Sequence, residues 1–134
     1  MSTDILQPRS PNTRLTELTG RFAAISALTD GWLDGAGRAP NKQKLVEVRQ
    51  SMLRHYPERV PLPIIIATPD GNLLLEWDVP GDPSLDLDLD SMHAAFHAFL
   101  PHEQEIEREF VLQDDDAWGQ LFGLLSTVMD QRPG

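Results

Sequence analysis

The chain has 134 residues, 40% of them hydrophobic and 24% charged, with no cysteine; this is the composition of one folded domain and excludes disulfides, thiolate metal sites and a cysteine nucleophile. The formal net charge of −10 is concentrated in one half: residues 1–68 hold nine Lys/Arg against six Asp/Glu, and residues 69–134 hold two against fifteen. Phosphate contacts and anionic membrane surfaces need a basic face, so no nucleic acid and no membrane partner are expected, whereas a basic protein partner or self-association fits.

No apolar run approaches 18 residues, so no transmembrane span is expected. The opening "MSTDILQPRS" lacks a basic start followed by an apolar core, so no signal peptide is expected, and the absence of cysteine agrees with a cytoplasmic location.

Residues 1–12 contain two prolines and no period, which predicts a flexible tail ahead of a single domain over 13–131. Leu15, Leu18, Phe22, Ile25 and Leu28 then recur at helical spacing, with Asn12 or Thr13 as cap. The glycines and proline of "TDGWLDGAGRAPN" (29–41) end that helix, and Trp32 is expected to plug into the core and anchor the loop. Asn41 caps a second helix with the stripe Leu45, Val48, Met52, Leu53 and Tyr56, closed by Pro57. Lys42, Lys44, Arg49 and Arg54 lie off that stripe and give it a basic outer face.

After "PERVPLP" the period changes to two. "IIIAT" and "NLLLEWDV" flank "PDG" as a β-hairpin. Leu62, Ile64 and Ile66 share one face of its first strand; Leu73, Leu75, Trp77 and Val79 share one face of its second. Ile65 and Leu74 then put some apolar surface on the opposite face. In "SLDLDLD" (84–90), Leu85, Leu87 and Leu89 alternate with Asp86, Asp88 and Asp90, the pattern of a half-buried strand. A calcium loop starting at Asp86 would need Gly at its sixth place and Glu at its twelfth, where Ser91 and His97 stand.

"MHAAFHAFL" (92–100) reads either as a helix capped by Ser91 or as a strand with Met92, Ala94, Phe96, Ala98 and Leu100 on one face. The strand is preferred, because a turn at Asp90 and Ser91 pairs Leu89 with Met92. "EIEREFVL" alternates again, Glu105, Glu107 and Glu109 against Ile106, Phe110 and Leu112. Arg108 sits on the apolar side, as at a sheet edge. Asp114, Asp115 and Asp116 open a last helix with Trp118, Leu121, Phe122, Leu125, Val128 and Met129 as its buried stripe. The expected fold is α+β: two N-terminal helices, an antiparallel β-meander of about five strands, and a C-terminal helix packed on the sheet.

The pieces "GWLDGAGRAP", "YPERVPLPIIIATPDGNLLLEW" and "SLDLDLD" resemble a family of small bacterial proteins with no settled function. That family's pattern has a Gly-Trp loop, Tyr-Pro, a hairpin ending in Glu-Trp, an acidic strand and an aromatic-plus-His strand. The likeness spans roughly residues 15–128 and departs at the hairpin turn, where this chain has Gly71-Asn72. It implies a strand over 92–100 and no particular activity.

The candidate chemistry gathers on one face: Asp86, Asp88 and Asp90, then His93 and His97, then Glu105, Glu107 and Glu109. In neighbouring strands, two imidazoles would stand between two acidic rows. Four residues of strand separate the histidines by roughly 13 Å, too far to share one ion, whereas a helix would bring them together. On the strand reading no metal, no cofactor and no catalytic residue are expected, and the eight residues are a partner-binding face. Glu76 is read as exposed beside a core Trp77, and Trp32, Trp77 and Trp118 as structural anchors. "DGWLDGAG" has no Gly-Lys-Ser/Thr and follows a helix, so it is not a phosphate loop. Ser26, Ser51 and Ser91 lack a nucleophile elbow. The expectation is a non-catalytic interaction protein, antitoxin- or immunity-like or a homodimeric accessory protein; the alternative is a small metal-assisted hydrolase using the His/carboxylate face.

Overall fold

The computed structural model describes residues 11–130. Helix α1 (Pro11–Ser26) buries Leu18, Phe22 and Ile25, while Leu15 is 44% exposed. It begins at Pro11, ahead of the expected cap, so only the last two residues of the expected tail are described, and they are helical. Helix α2 (Lys42–His55) starts where the Asn41 side chain accepts the Lys44 amide at 3.0 Å and buries Leu45, Val48 and Met52.

Between α2 and the sheet, "PERVPLP" has three prolines and cannot supply a full ladder of amides. Its carbonyls are taken by two arginines of α1. Arg14 donates to Pro57 (2.9 Å) and Val60, and Arg21 donates to Leu62 (3.3 Å) and Pro63. Charged donors thus satisfy an irregular segment and bind it to the first helix.

The sheet is a five-stranded antiparallel meander in the order β1 (Ile64–Ala67), β2 (Leu73–Glu76), β3 (Ser84–Leu87), β4 (His93–Leu100), β5 (Gln104–Val111). Ile65, Leu75, Leu85, Phe96 and Arg108 form one cross-strand row on the core face; Ala67, Leu73, Leu87, Ala94 and Phe110 form the next. Residues 93–100 are therefore extended, with Met92 in the turn before them, and Arg108 falls on the outermost strand, where it stays exposed.

Helix α3 (Asp115–Asp130) begins as Asp114 accepts the Ala117 amide at 2.9 Å, with Asp115 and Asp116 in its first turn. It lays Trp118, Leu121, Phe122, Leu125 and Val128 into the core and packs on α2, β4 and β5. The buried side chains of β2, β3 and β4 point to this helical side. Among the described residues, nothing covers the other face of the sheet.

Three sequence expectations are corrected. On β1, Ile65 and Ala67 face inward, opposite Leu75 and Leu73, while Ile64 and Ile66 are 54% and 38% exposed. Three successive isoleucines carry no alternation, so the register against β2 sets the face. The acidic strand stops at Leu87, and Asp88 and Asp90 belong to a turn. There the Asp88 carboxylate accepts the amides of Asp90 (2.9 Å) and Ser91 (3.1 Å), and Met92 turns left-handed at φ 61°. Leu89 and Met92 still point into the core from that turn, which is why the period-two pattern runs past the strand's end. Finally, Trp32 does not reach the core. It folds over its own loop, its Nε1 donating to the Arg38 carbonyl at 3.0 Å above Gly37. Trp77 and Trp118 are both buried.

Gly81, in the turn between β2 and β3, has φ 93°. Its carbonyl accepts the Phe99 amide at 2.8 Å, and a Cβ there would lie 2.8 Å from the Phe99 carbonyl oxygen and 2.9 Å from Val128 Cγ1. Only glycine lets this turn sit between β4 and α3.

Candidate functional site: the open face of the sheet

Because side chains alternate along strands, every residue opposite the core positions stands on one uncovered surface. Two rows cross it. One runs Ile64, Glu76, Ser84, His97, Glu107; the other runs Ile66, Leu74, Asp86, Ala95, Glu109. The face is apolar at β1 and becomes acidic toward β5. Its strand residues include the carboxylates Glu76, Asp86, Glu105, Glu107 and Glu109 and no Lys or Arg.

His97 is the centre of the acidic side. Glu107 is directly opposite it, and its Nε2 lies 3.6 Å from Glu105 Oε2. The Phe99 ring meets the imidazole edge-on, with centroids 4.9 Å apart at 87°, and holds its plane. One ligand atom each of His97, Glu105 and Glu107 lies within 4.8 Å of the others, close enough to hold a divalent cation. This trio differs from the His93–His97 pairing weighed from sequence, which the strand keeps apart.

His93 belongs to a separate shallow depression, with Asp86, Asp88, Glu109 and the hairpin-turn Asp70. Asp86 and Glu109 also line the depression beside His97, so they join the two. Of the eight candidate residues, Asp86, His93, His97, Glu105, Glu107 and Glu109 share the face; Asp88 sits at its rim. Asp90 turns away to Arg38 of the Gly-rich loop, 3.5 Å distant. Sequence reasoning missed Asp70, whose signal was the "PDG" turn itself. The Thr68 hydroxyl, and then its own backbone amide, hold its carboxyl below the usual range.

Ser84, His97 and Glu107 follow one another across three strands, in the order of a nucleophile, a base and a carboxylate. Among the described residues no hydrogen bond joins Ser84 to His97, and the flat strand offers no convergent amide pair for an oxyanion. The row therefore lacks the contacts that acyl transfer needs.

No family model, no curated protein and no solved structure matches the chain. The resemblance to small bacterial proteins thus stands on its motifs alone. No helix among the described residues is long and apolar enough to cross a membrane.

Proposed function

We propose that this chain is a non-catalytic interaction module whose open sheet face docks a basic protein partner in a reducing cytoplasm, as an antitoxin or immunity protein would neutralise its target. The observation that carries the reading is the face itself: an uncovered five-stranded surface whose outward positions bear carboxylates and histidines and no Lys or Arg, the one strand cation, Arg108, standing at the core-side positions of the edge strand. Such a field steers an oppositely charged partner and rejects acidic ones. Ile64, Ile66 and Leu74 at the β1 end add an apolar margin that a basic partner with a hydrophobic flank would cover.

The test uses the wild-type chain and a triple variant, Glu105→Lys with Glu107→Lys and Glu109→Lys, as paired baits. Basic proteins retained by the wild type at low salt should be lost on the variant and released by high salt. Equal recovery on both baits removes the reading. Sedimentation at low and high salt separates a foreign partner from a second copy.

A second reading is favoured by the convergence of His97, Glu105 and Glu107. A divalent transition metal held there would support metal-assisted hydrolysis. It requires stoichiometric metal in gently purified protein and its release in His97→Ala; metal-free protein removes it.

A further inference from the structure

We propose that the free edge of β5 takes up an extended basic strand of the partner, so that docking adds a sixth strand to the sheet. This rests on the docking reading above and specifies its geometry.

The two edges of the sheet are built differently. β1 is four residues long and is hemmed by Pro61 and Pro63 before it and Pro69 after it. Those prolines blunt it against further pairing. β5 is eight residues long, contains no proline, and keeps unbroken register with β4 from Gln104 to Val111. Among the described residues, no strand pairs with its outer side.

Register parity says which groups are free. The Leu112 amide bonds to the Met92 carbonyl, and bonded and non-bonded pairs alternate along an antiparallel ladder. Phe110, Arg108 and Ile106 therefore direct their amides and carbonyls to β4. Glu105, Glu107 and Glu109 direct theirs outward. The same three residues carry the carboxylates of the open face. An incoming strand meets backbone partners and negative charge at the same positions.

That coincidence selects the occupant. A second copy pairing across a two-fold axis would set the three glutamates against themselves, which opposes it. A strand with Lys or Arg at alternate positions places each ammonium or guanidinium opposite a glutamate. Its intervening residues lie beside half-buried Ile106 and Phe110 and the exposed Arg108 between them, which suits apolar side chains and opposes a further cation.

The probe is an eight-residue, end-capped peptide alternating lysine and valine, compared with the same peptide N-methylated at each lysine. Both have the same charge, but the second cannot donate to the outward carbonyls of β5. The unmethylated peptide should bind the full chain at least about tenfold tighter at low salt. Amide exchange at Glu105, Glu107 and Glu109 should slow in the complex. Glu107→Pro removes one outward amide and one carboxylate and sets a ring in the path of the incoming strand while leaving every bond to β4, so the fold should persist and the preference for the unmethylated peptide should fall. Equal binding of the two peptides, or an unchanged preference in Glu107→Pro, overturns strand addition while the acidic docking face stands. Binding of neither peptide overturns both.

Discussion

The indole Nε1 of Trp77 donates a 2.6 Å hydrogen bond to the hydroxyl of Tyr56, which in turn donates to the Pro61 carbonyl. Phe122 of α3 meets the Tyr56 ring edge-on at 4.9 Å, and the Arg14 guanidinium of α1 lies 5.1 Å from its centroid. One phenol thereby joins all three helices to the second strand's end. Burial, the largest influence, pushes its pKa up to about 12, against the opposing pull of Trp77, Arg14 and Arg21.

Tyr56 is the only tyrosine in the chain, so its titration reads directly in the phenolate absorbance. The folded protein should ionise near pH 12. The fold favours the neutral phenol, so this contribution to stability is complete below about pH 10 and is lost as pH climbs toward the folded value. Half-titration near pH 10 with the fold intact would contradict the packing described. Tyr56→Phe strands the Trp77 N–H and should cost roughly 1–3 kcal/mol in denaturant melts.

Asp115 accepts from His55 at 3.0 Å and from Arg54 at 2.8 Å, and those bonds, His55 first, lower its pKa. A lowered carboxyl stabilises the fold above its unfolded pKa of about 3.9 and stops doing so as pH falls through the folded value. Asp115→Asn should therefore melt below the wild type near neutral pH, and the gap should narrow progressively as the pH falls below the unfolded value of about 3.9. A gap that persists in acid would mean the side chain acts by packing.

Gly81→Ala should destabilise by roughly 2–4 kcal/mol, combining the left-handed penalty with the collision at the Phe99 carbonyl. Gly20→Ala is the opposite case. It lies in α1 with nothing within 4 Å of a new Cβ, and should gain about 0.5–1 kcal/mol. Paired thermal melts would show the opposite signs.

Phe96 and Ile64 test the two faces of the sheet. Phe96 is 1% exposed between Leu85 and Arg108, and Phe96→Ala should cost roughly 3–5 kcal/mol. Ile64→Ser, on the uncovered side, should stay within about 0.5 kcal/mol. A large loss at Ile64 would place something over the face where docking is proposed.

The inward and outward positions of 84–87, 93–100 and 104–111 were legible because apolar side chains alternate with polar ones there, and a sheet with one wet face leaves that record at every second position; the same alternation hid the turn at 88–92. The caps were legible as well, at Asn41 and within the aspartate triplet 114–116, where Asp114 proves to be the one that caps. β1 was not, because Ile64, Ile65 and Ile66 are equally apolar and only pairing with β2 chooses among them. Trp32 was misplaced because aromatic size says nothing about whether a loop folds inward or over itself. Of the site, the residues were visible but their grouping was not. The approach of His97 to Glu105 and Glu107, and the removal of Asp90 to Arg38, are set by register and by a turn far from either in sequence.

The unbroken order from β1 to β5 gives synthesis a direction. Each hairpin can close as soon as its second strand leaves the ribosome, because every closing loop is short. The greasy side of that nascent sheet, with Phe96 at its middle, lacks its last cover until Trp118 and Phe122 arrive with α3. At about 5–20 residues per second the wait is on the order of seconds. During that interval the unfinished chain offers a chaperone a surface that the finished one never shows.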